Sequence, residues 1–294
     1  MTDETPKILI TAAGGKVGQH VAQQLSDRGI VARAGFHSQD KAAAPQPAGI
    51  EGVVLDFENP ETIAAAFKGI DTLFLVTPGS PYAARQEKGL LVEAKRVGVS
   101  RIVKLSGKIA EHHTVGFGVW NTEAERQIKA TLIPYTILRG NFFMQNLFGS
   151  VDQIKQGAYT MGPAAKKISL LDARDIAAVA VAALTEPGHG GQTYDLNGPE
   201  LLDGNDQAAV FSEVLGRPVK YIDVSAEDFV ESLKQYGLPD WLVEAFGVAA
   251  ADTEVPGDQS SATVERILGR KPGSLAQFVR DHRAVFDASR TTPT

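Results

Sequence analysis

The stretch that decides the fold is residues 7–28, which read KILITAAGGKVGQHVAQQLSDR. It opens with a short β-branched and apolar run, residues 7–10, of the kind that forms a strand buried on both faces. A turn of small residues follows, and then Val17, Val21 and Leu25 recur at helical spacing. The stretch therefore predicts a strand, a tight turn and an amphipathic helix, in that order.

The turn carries the spacing Ala12-x-x-Gly15-x-x-Gly18, with Ala12 where a dinucleotide fingerprint usually has its first glycine. Small residues let a pyrophosphate approach the main chain, and the N–H groups and dipole of a helix N-terminus favour an anion. A tight turn in another kind of α/β protein remains the alternative. We predict a dinucleotide site, and its residues in this stretch are Thr11, Ala12, Gly14, Gly15, Lys16 and Val17.

Strand-like and helical runs continue to alternate as far as residue 139. This alternation predicts parallel β-α-β units in a doubly wound sheet, whose carboxyl strand ends share one edge where ligands bind. The further predicted strands are residues 30–34, 53–55, 72–76, 101–106 and 135–139, and the predicted helices are residues 60–67, 82–97 and 117–130.

Beyond residue 150 the alternation loosens. Predicted strands there are residues 168–171, 192–196 and 218–224, and predicted helices are residues 173–184, 205–215, 239–251 and 274–281. We predict a dinucleotide-binding domain over residues 1–150, with a returning segment near 168–190. Residues 151–294 are predicted to form mainly a smaller, mostly helical substrate or cap domain.

Composition narrows the function classes. The chain has 294 residues, of which 43% are hydrophobic and 22% charged, as in ordinary globular proteins. A net charge of −6 without a basic cluster argues against a nucleic-acid surface. The absence of cysteine excludes disulfides and thiolate metal sites, and we assign no metal site. No apolar run approaches the roughly 18 residues of a membrane span, so we expect a cytoplasmic protein.

An acidic residue about 20 positions past the glycines usually distinguishes NAD sites from NADP sites, because it binds the ribose 2′-hydroxyl. Here residues 32–39 contain none, and the first carboxylate is Asp40. Arg33 and His37 are instead candidates to face a 2′-phosphate, although each is also an ordinary surface residue in the alternative interpretation. We predict NADP, with NAD left open.

Several segments together resemble the NmrA-like branch of the atypical short-chain dehydrogenases/reductases. The resemblance implies a Rossmann domain with a small C-terminal substrate domain, and members that either reduce quinones and related small molecules or sense redox state without turnover. The segments that carry it are residues 11–18, 56–57, 106–107, 136–146, 172–177, 194–200 and 269–272.

Carried over to this chain, the resemblance implies contacts to each part of the cofactor. Pyrophosphate contacts fall at residues 15–17. Adenosine contacts fall at His37, Asp56, Phe57, Thr77 and Pro78. Contacts on the nicotinamide side fall at Ser106, Gly107, Gly140, Asn141 and Phe142.

One helix departs from the family pattern. Asn121 stands where many members place a catalytic histidine or lysine, four residues before Glu125, so both share one helix face. An amide cannot donate a titratable proton, although it can hydrogen-bond a carbonyl oxygen. Asn121 is nevertheless the catalytic candidate. Trp120, Phe143 and His113 are substrate candidates, with core packing or a surface loop as the alternative for each.

The leading functional hypothesis is an NAD(P)H-dependent oxidoreductase that passes hydride to a small planar acceptor such as a quinone. The alternative from another class is an NAD(P)-binding redox sensor without turnover, which Asn121 favours. An NAD(P)-using isomerase or epimerase is a third possibility. The sequence predicts no nucleic-acid or membrane partner and gives no oligomeric state.

Overall fold

The structure is a computed structural model that describes residues 7–108, 116–163, 167–251 and 260–287. The chain divides into two compact units. The first comprises Met1–Gly140 and Ala173–Leu196, and the second comprises Asn141–Asp172 and Asn197–Thr294.

The elements of both units follow in chain order. The strands are β1 (Ile8–Ile10), β2 (Ala32–Phe36), β3 (Ile50–Val54), β4 (Thr72–Leu75), β5 (Arg101–Gly107), β6 (Tyr135–Gly140), β7 (Ala158–Tyr159), β8 (Ile168–Ser169), β9 (Gln192–Leu196), β10 (Leu201–Leu202) and β11 (Lys220–Tyr221). The helices are α1 (Gly18–Asp27), α2 (Gln39–Ala43), α3 (Pro60–Ala66), α4 (Ala83–Val97), α5 (Phe117–Thr131), α6 (Val151–Lys155), α7 (Ala173–Thr185), α8 (Gly204–Leu215), α9 (Ala226–Gln235), α10 (Asp240–Ala251), α11 (Ala262–Leu268), α12 (Leu275–Asp281) and α13 (Arg283–Phe286), with a 3₁₀ helix at Met144–Ser150.

The first unit is built on a parallel sheet. Among the described residues its strand order is β3-β2-β1-β4-β5-β6-β9, and every neighbouring pair is parallel. β1 is central because Ile8 pairs with Ala32 of β2 on one side and with Thr72 of β4 on the other. The strand order reverses direction beside β1, at the point where open α/β sheets bind ligands. The predicted doubly wound fold is confirmed.

Helices cover both faces of this sheet. α1 packs against α7, which also contacts β4, β5 and β6, and eleven residues of α7 are buried. On the other face α3, α4 and α5 enclose an apolar cluster that includes Leu73, Ile102, Leu90 and Ile128. The near-continuous apolar strands follow from this double coverage.

The second unit has its own apolar core. Its largest buried rings are Tyr159, Phe211, Phe278 and Phe286, and Tyr159 meets Phe211 edge to face at 5.5 Å between ring centroids. Two short ladders accompany the helices: β8 pairs with β10, and β7 pairs with β11.

The structure differs from the sequence prediction mainly at the short elements. The predicted strand 218–224 is only Lys220–Tyr221, and the strand 168–171 is only Ile168–Ser169. The chain leaves the first unit at Gly140 rather than at residue 150, since the segment that follows folds with the second unit. Within the described residues, no helix combines the length and apolar character that crossing a bilayer requires.

Candidate cofactor site

The fingerprint turn leaves no room for a side chain at Gly18 and little at Gly15. Ala12 adopts a left-handed backbone with φ of 45°, and the Gly15 N–H donates to the Ala12 carbonyl over 2.9 Å. A Cβ atom on Gly18 would lie 2.6 Å from that carbonyl oxygen and 2.9 Å from Ala13 Cα. Gly14 and Gly15 are exposed, so a ligand can approach their backbone directly.

The N-terminus of α1 suits an anion. Within the described residues, the helix starts at Gly18 without a side-chain cap and without an acidic residue in its first turn that would neutralise the dipole. Lys16 adds a cation to the turn, and partial burial lowers the pKa of its ammonium from the ordinary value. An exposed glycine cradle at an uncapped helix end fits the pyrophosphate of a dinucleotide.

Thr11 has a different role from the one predicted. It is fully buried, and its hydroxyl accepts from the Val76 N–H over 2.7 Å and lies 2.6 Å from the Val76 carbonyl. The side chain therefore joins the end of β1 to the end of β4 and is not available to a cofactor. Thr11 positions the site rather than lining it.

Arg33 corrects a second prediction. It is the second residue of β2, at the amino end of the strand, whereas the fingerprint lies at the carboxyl edge. Its Nε donates to Glu51 Oε2 over 2.9 Å, and its Nη1 donates to the carbonyls of Ala66 and Lys68. A guanidinium with these partners at the opposite edge cannot reach a 2′-phosphate at the fingerprint.

His37 lies where the prediction placed it. It follows β2 directly, its side chain is 84% exposed, and its Nδ1 lies 3.9 Å from Asp56 Oδ1 at the end of β3. Asp56 also accepts a hydrogen bond from the Glu58 N–H. The neighbouring Phe57 is half-buried and packs partly against the α3 and α4 core.

The segment after β4 borders the same edge. The Thr77 hydroxyl donates to Glu87 Oε1 of α4 over 2.6 Å, and Pro78 is exposed. A Cβ atom on Gly79 would lie 3.2 Å from the ring of Phe117, so this ring covers the loop closely. Phe117 in turn meets Trp120 edge to face with centroids 5.3 Å apart. Trp120 is thus the partner of an aromatic pair at the start of α5.

Asn121 and Glu125 lie one helical turn apart on α5. The Asn121 amide Nδ2 donates to the Phe117 carbonyl over 2.8 Å, and the amide carries a second N–H for which the described residues show no acceptor. Glu125 Oε1 accepts from the Ser106 hydroxyl over 2.7 Å and from Arg139 Nε over 3.0 Å. Glu125 therefore fixes Ser106 and Arg139 on neighbouring strands, and Asn121 stays the candidate for contact with a substrate.

Glycines end the two strands beside this cluster. Gly107 of β5 pairs with Gly140 of β6, in the row after Ser106 and Arg139. Gly107 is half-buried and Gly140 is buried, and neither carries a side chain that would separate a ligand from the main chain.

The remaining predicted residues belong to the second unit or to a part of the chain that is not described. Asn141 Oδ1 accepts from the Phe142 N–H, and its Nδ2 donates to Asn197 Oδ1 over 3.0 Å. Phe142 packs against the core of the second unit, and Phe143 bridges to Leu171. His113 lies outside the described residues.

Sequence reasoning missed two ion pairs in the first unit, one buried on both sides and one with a half-buried carboxylate. Lys104 Nζ lies 2.6 Å from Glu87 Oε1, with the two side chains 3% and 1% exposed. Lys108 Nζ, just past the end of β5, lies 2.9 Å from Asp195 Oδ2. A lysine inside an apolar strand was the available signal, because a buried ammonium requires an anionic partner.

Comparisons with known proteins identify relatives along nearly the whole chain. The model of the NmrA-like family matches residues 4–279. An NAD(P)H azoreductase of Xenophilus azovorans is 33% identical over 287 residues, which cover 96% of this chain and all of the azoreductase. Quinone oxidoreductase 2 of Escherichia coli is 27% identical over 92% of this chain and 97% of its own length.

A solved structure shares the fold. The crystal structure of the Escherichia coli NADPH-dependent quinone oxidoreductase complexed with NADPH superposes with a TM-score of 0.81 at 25% identity, over 94% of this chain and 99% of that chain.

Proposed function

The chain belongs to the NmrA-like family, and from that premise we propose that it is an NAD(P)H-dependent oxidoreductase that passes hydride to a small planar acceptor such as a quinone. The azoreductase and quinone oxidoreductase names of its relatives support the oxidoreductase activity. The observation that carries the proposal in this chain is the exposed Gly14–Gly15 cradle at the uncapped N-terminus of α1.

NADPH is the proposed hydride donor. The relative solved with NADPH supports this choice, as does His37, an exposed histidine at the end of β2 without an acidic residue in the strand. The bound nicotinamide supplies the hydride itself, and the protein supplies orientation and electrostatics.

The residues of the first unit act around that hydride transfer. Glu125 holds Ser106 and Arg139 by hydrogen bonds, so these side chains have fixed positions at the carboxyl ends of β5 and β6. Asn121 offers an amide N–H to an acceptor oxygen but cannot release a proton. Reduction of a quinone to the hydroquinone by one hydride needs one proton as well, and we assign that proton to water.

Steady-state assays with an acceptor panel test this function. NADPH and NADH consumption is followed with quinones, azo dyes and simple carbonyls at equal concentration. We expect NADPH to be consumed with quinones or azo dyes and much more slowly with carbonyls. Activity confined to carbonyls would contradict the planar acceptor.

A non-catalytic redox sensor is the second candidate, because Asn121 replaces the titratable residue of the family pattern. Tight binding of NADPH in calorimetry, with no oxidation by any acceptor of the panel, would favour the sensor.

A further inference from the structure

The buried pair Glu87–Lys104 has no place in the function proposed so far, yet it reaches the candidate cofactor site. Glu87 lies on α4 and Lys104 on β5, and both side chains are almost fully buried. Besides Lys104, Glu87 Oε1 accepts the hydroxyl of Thr77, at the carboxyl end of β4. The ion pair is therefore joined through one oxygen atom to the segment that borders the fingerprint turn.

Thr77 is held at that edge from two directions. Val76, the residue before it, is bonded to the hydroxyl of Thr11 at the start of the fingerprint turn. Thr77 itself is bonded to Glu87 from the helix side. Two separate hydrogen-bonded anchors thus define where the half-buried Thr77 lies relative to the cofactor cradle.

The chemistry of the pair sets the direction of the Thr77 hydrogen bond. An ammonium at 2.6 Å compensates a carboxylate charge, and a carboxylate has no proton to give. The single proton of the Thr77 hydroxyl must therefore go to Glu87. The oxygen of Thr77 is left with lone pairs alone, so toward any ligand it can accept a hydrogen bond but not donate one.

The arrangement is incomplete on the Glu87 side. Glu87 Oε2 is buried and has no hydrogen-bond partner among the described residues. A buried acceptor without a partner costs stability, so packing alone is a poor reason for a carboxylate at this position. Two well-packed apolar side chains would fill the same space at no such cost.

We propose that Glu87, held by Lys104, is a positioning residue that presents the Thr77 oxygen as a hydrogen-bond acceptor to a donor group of the dinucleotide, a ribose hydroxyl or an amide N–H. A phosphate oxygen, which only accepts at neutral pH, does not satisfy it. This inference rests on the proposed function, since it requires a dinucleotide at the carboxyl edge.

Calorimetric titration of the full chain with NADPH and with NADH tests it. Thr77→Val should weaken both cofactors by about 3- to 10-fold, the range of one neutral hydrogen bond, and Thr77→Ser should restore the affinity. Glu87→Gln should weaken both similarly. In a protein that already carries Thr77→Val, adding Glu87→Gln should raise both dissociation constants by less than about 2-fold. Glu87 acts on the cofactor through the Thr77 hydroxyl, which Thr77→Val has already removed.

A matched control separates positioning from general loss of stability. Glu51→Gln makes the same change in the Arg33–Glu51 pair at the opposite edge of the sheet. It should lower the melting temperature while leaving both dissociation constants unchanged. If Glu87→Gln does not fold, the double variant Glu87→Leu/Lys104→Met removes both charges and should fold while binding both cofactors more weakly.

Wild-type affinity in Thr77→Val or in Glu87→Leu/Lys104→Met overturns the inference, as do additive losses in the double variant Thr77→Val/Glu87→Gln. A loss confined to NADPH also overturns it, because Thr77 would then read the 2′-phosphate. If the wild-type protein binds neither NADPH nor NADH, the proposed function itself fails.

Discussion

His37 Nδ1 lies 3.9 Å from Asp56 Oδ1, so an imidazole and a carboxylate meet at the ends of the neighbouring strands β2 and β3. The imidazole is far more exposed than the carboxylate, at 84% against 36% of the side chain. A 2′-phosphate placed here would contact the His37 imidazole, which can carry a positive charge, and would lie near the negative Asp56 carboxylate. A ribose hydroxyl meets an acceptor. We therefore propose that this pair influences the choice between NADPH and NADH.

The preference for NADPH over NADH should depend on pH through His37. An imidazole gains a positive charge when it takes up a proton, and lower pH favours that form. The cationic form attracts the phosphate, so the affinity ratio should be larger at about pH 6 than at about pH 8. Calorimetric dissociation constants for both cofactors at the two pH values measure this ratio.

Two variants of the same pair control that experiment. His37→Arg should enlarge the ratio and flatten its pH dependence, since guanidinium stays charged, and the residual slope then reports ionisation of the phosphate itself. Asp56→Asn removes the nearby anion and should raise the ratio, because the carboxylate no longer repels the phosphate. A wild-type ratio that is flat with pH would show that His37 does not contact the phosphate.

Gly15→Val should abolish cofactor binding while the fold survives. A Cβ atom added to Gly15 would lie 3.1 Å from the Ala12 carbonyl oxygen. The branched side chain of valine would project from the exposed turn into the phosphate cradle. We expect NADPH affinity to fall by about 100-fold or more, because the backbone can no longer approach the pyrophosphate.

The control for this variant is Gly89 of α4, where a Cβ atom meets no atom within 4 Å. Gly89→Ala should leave NADPH affinity unchanged and raise stability by up to about 1 kcal/mol, because alanine is the better helix former. Unchanged affinity in Gly15→Val would remove the pyrophosphate from this turn.

Ala12→Gly should be neutral or stabilising. Ala12 has φ of 45°, a conformation that costs a residue with a Cβ atom about 1 kcal/mol and glycine almost nothing. Urea unfolding should give an equal or higher free energy of unfolding, with NADPH affinity retained. Its buried neighbour Ala13, which is not in the left-handed region, is the comparison, and Ala13→Gly should destabilise the protein. A clear loss of stability in Ala12→Gly would contradict the strain at this position.

Asn121→Ala should affect turnover rather than cofactor binding. If the amide orients an acceptor oxygen, kcat with a quinone should fall by about 10-fold while the NADPH dissociation constant stays unchanged. The carbonyl of Phe117 loses a hydrogen bond but stays in its helix, so the melting temperature should change little. Asn121→His introduces a titratable donor at the same position and should raise kcat. Equal kcat in Asn121→Ala and wild type would assign the residue to the helix surface.

Local periodicity was enough to predict the first unit. Strand Gln192–Leu196 and the turn at residues 12–18 lie where the pattern placed them, because buried parallel strands and a glycine turn leave strong signals over a few residues. The chain-long resemblance then identified the family. Short ladders such as Lys220–Tyr221 carry no comparable signal, and their extent depends on packing within the second unit.

The sequence alone does not show which side chains that are distant along the chain become partners in the fold. Arg33 was predicted at a phosphate because its distance from the glycines fits, but that distance does not tell which end of β2 carries the side chain. The sequence shows that Lys104 is a charged residue in an apolar strand. Only the structure, in which Glu87 of α4 lies beside β5, identifies its partner. Thr11 likewise needed the neighbouring strand β4 to show that its hydroxyl was already engaged.

The return of the chain through α7 and β9 has a consequence for how the protein is made. Helix α7 packs on α1 and on three central strands, and β9 extends the sheet beyond β6. A ribosome therefore completes the first unit only after it has synthesised the excursion at residues 141–172. Until then only α1 covers this face of the sheet and the β6 edge is open, so the nascent chain passes through a state that is prone to misassociation.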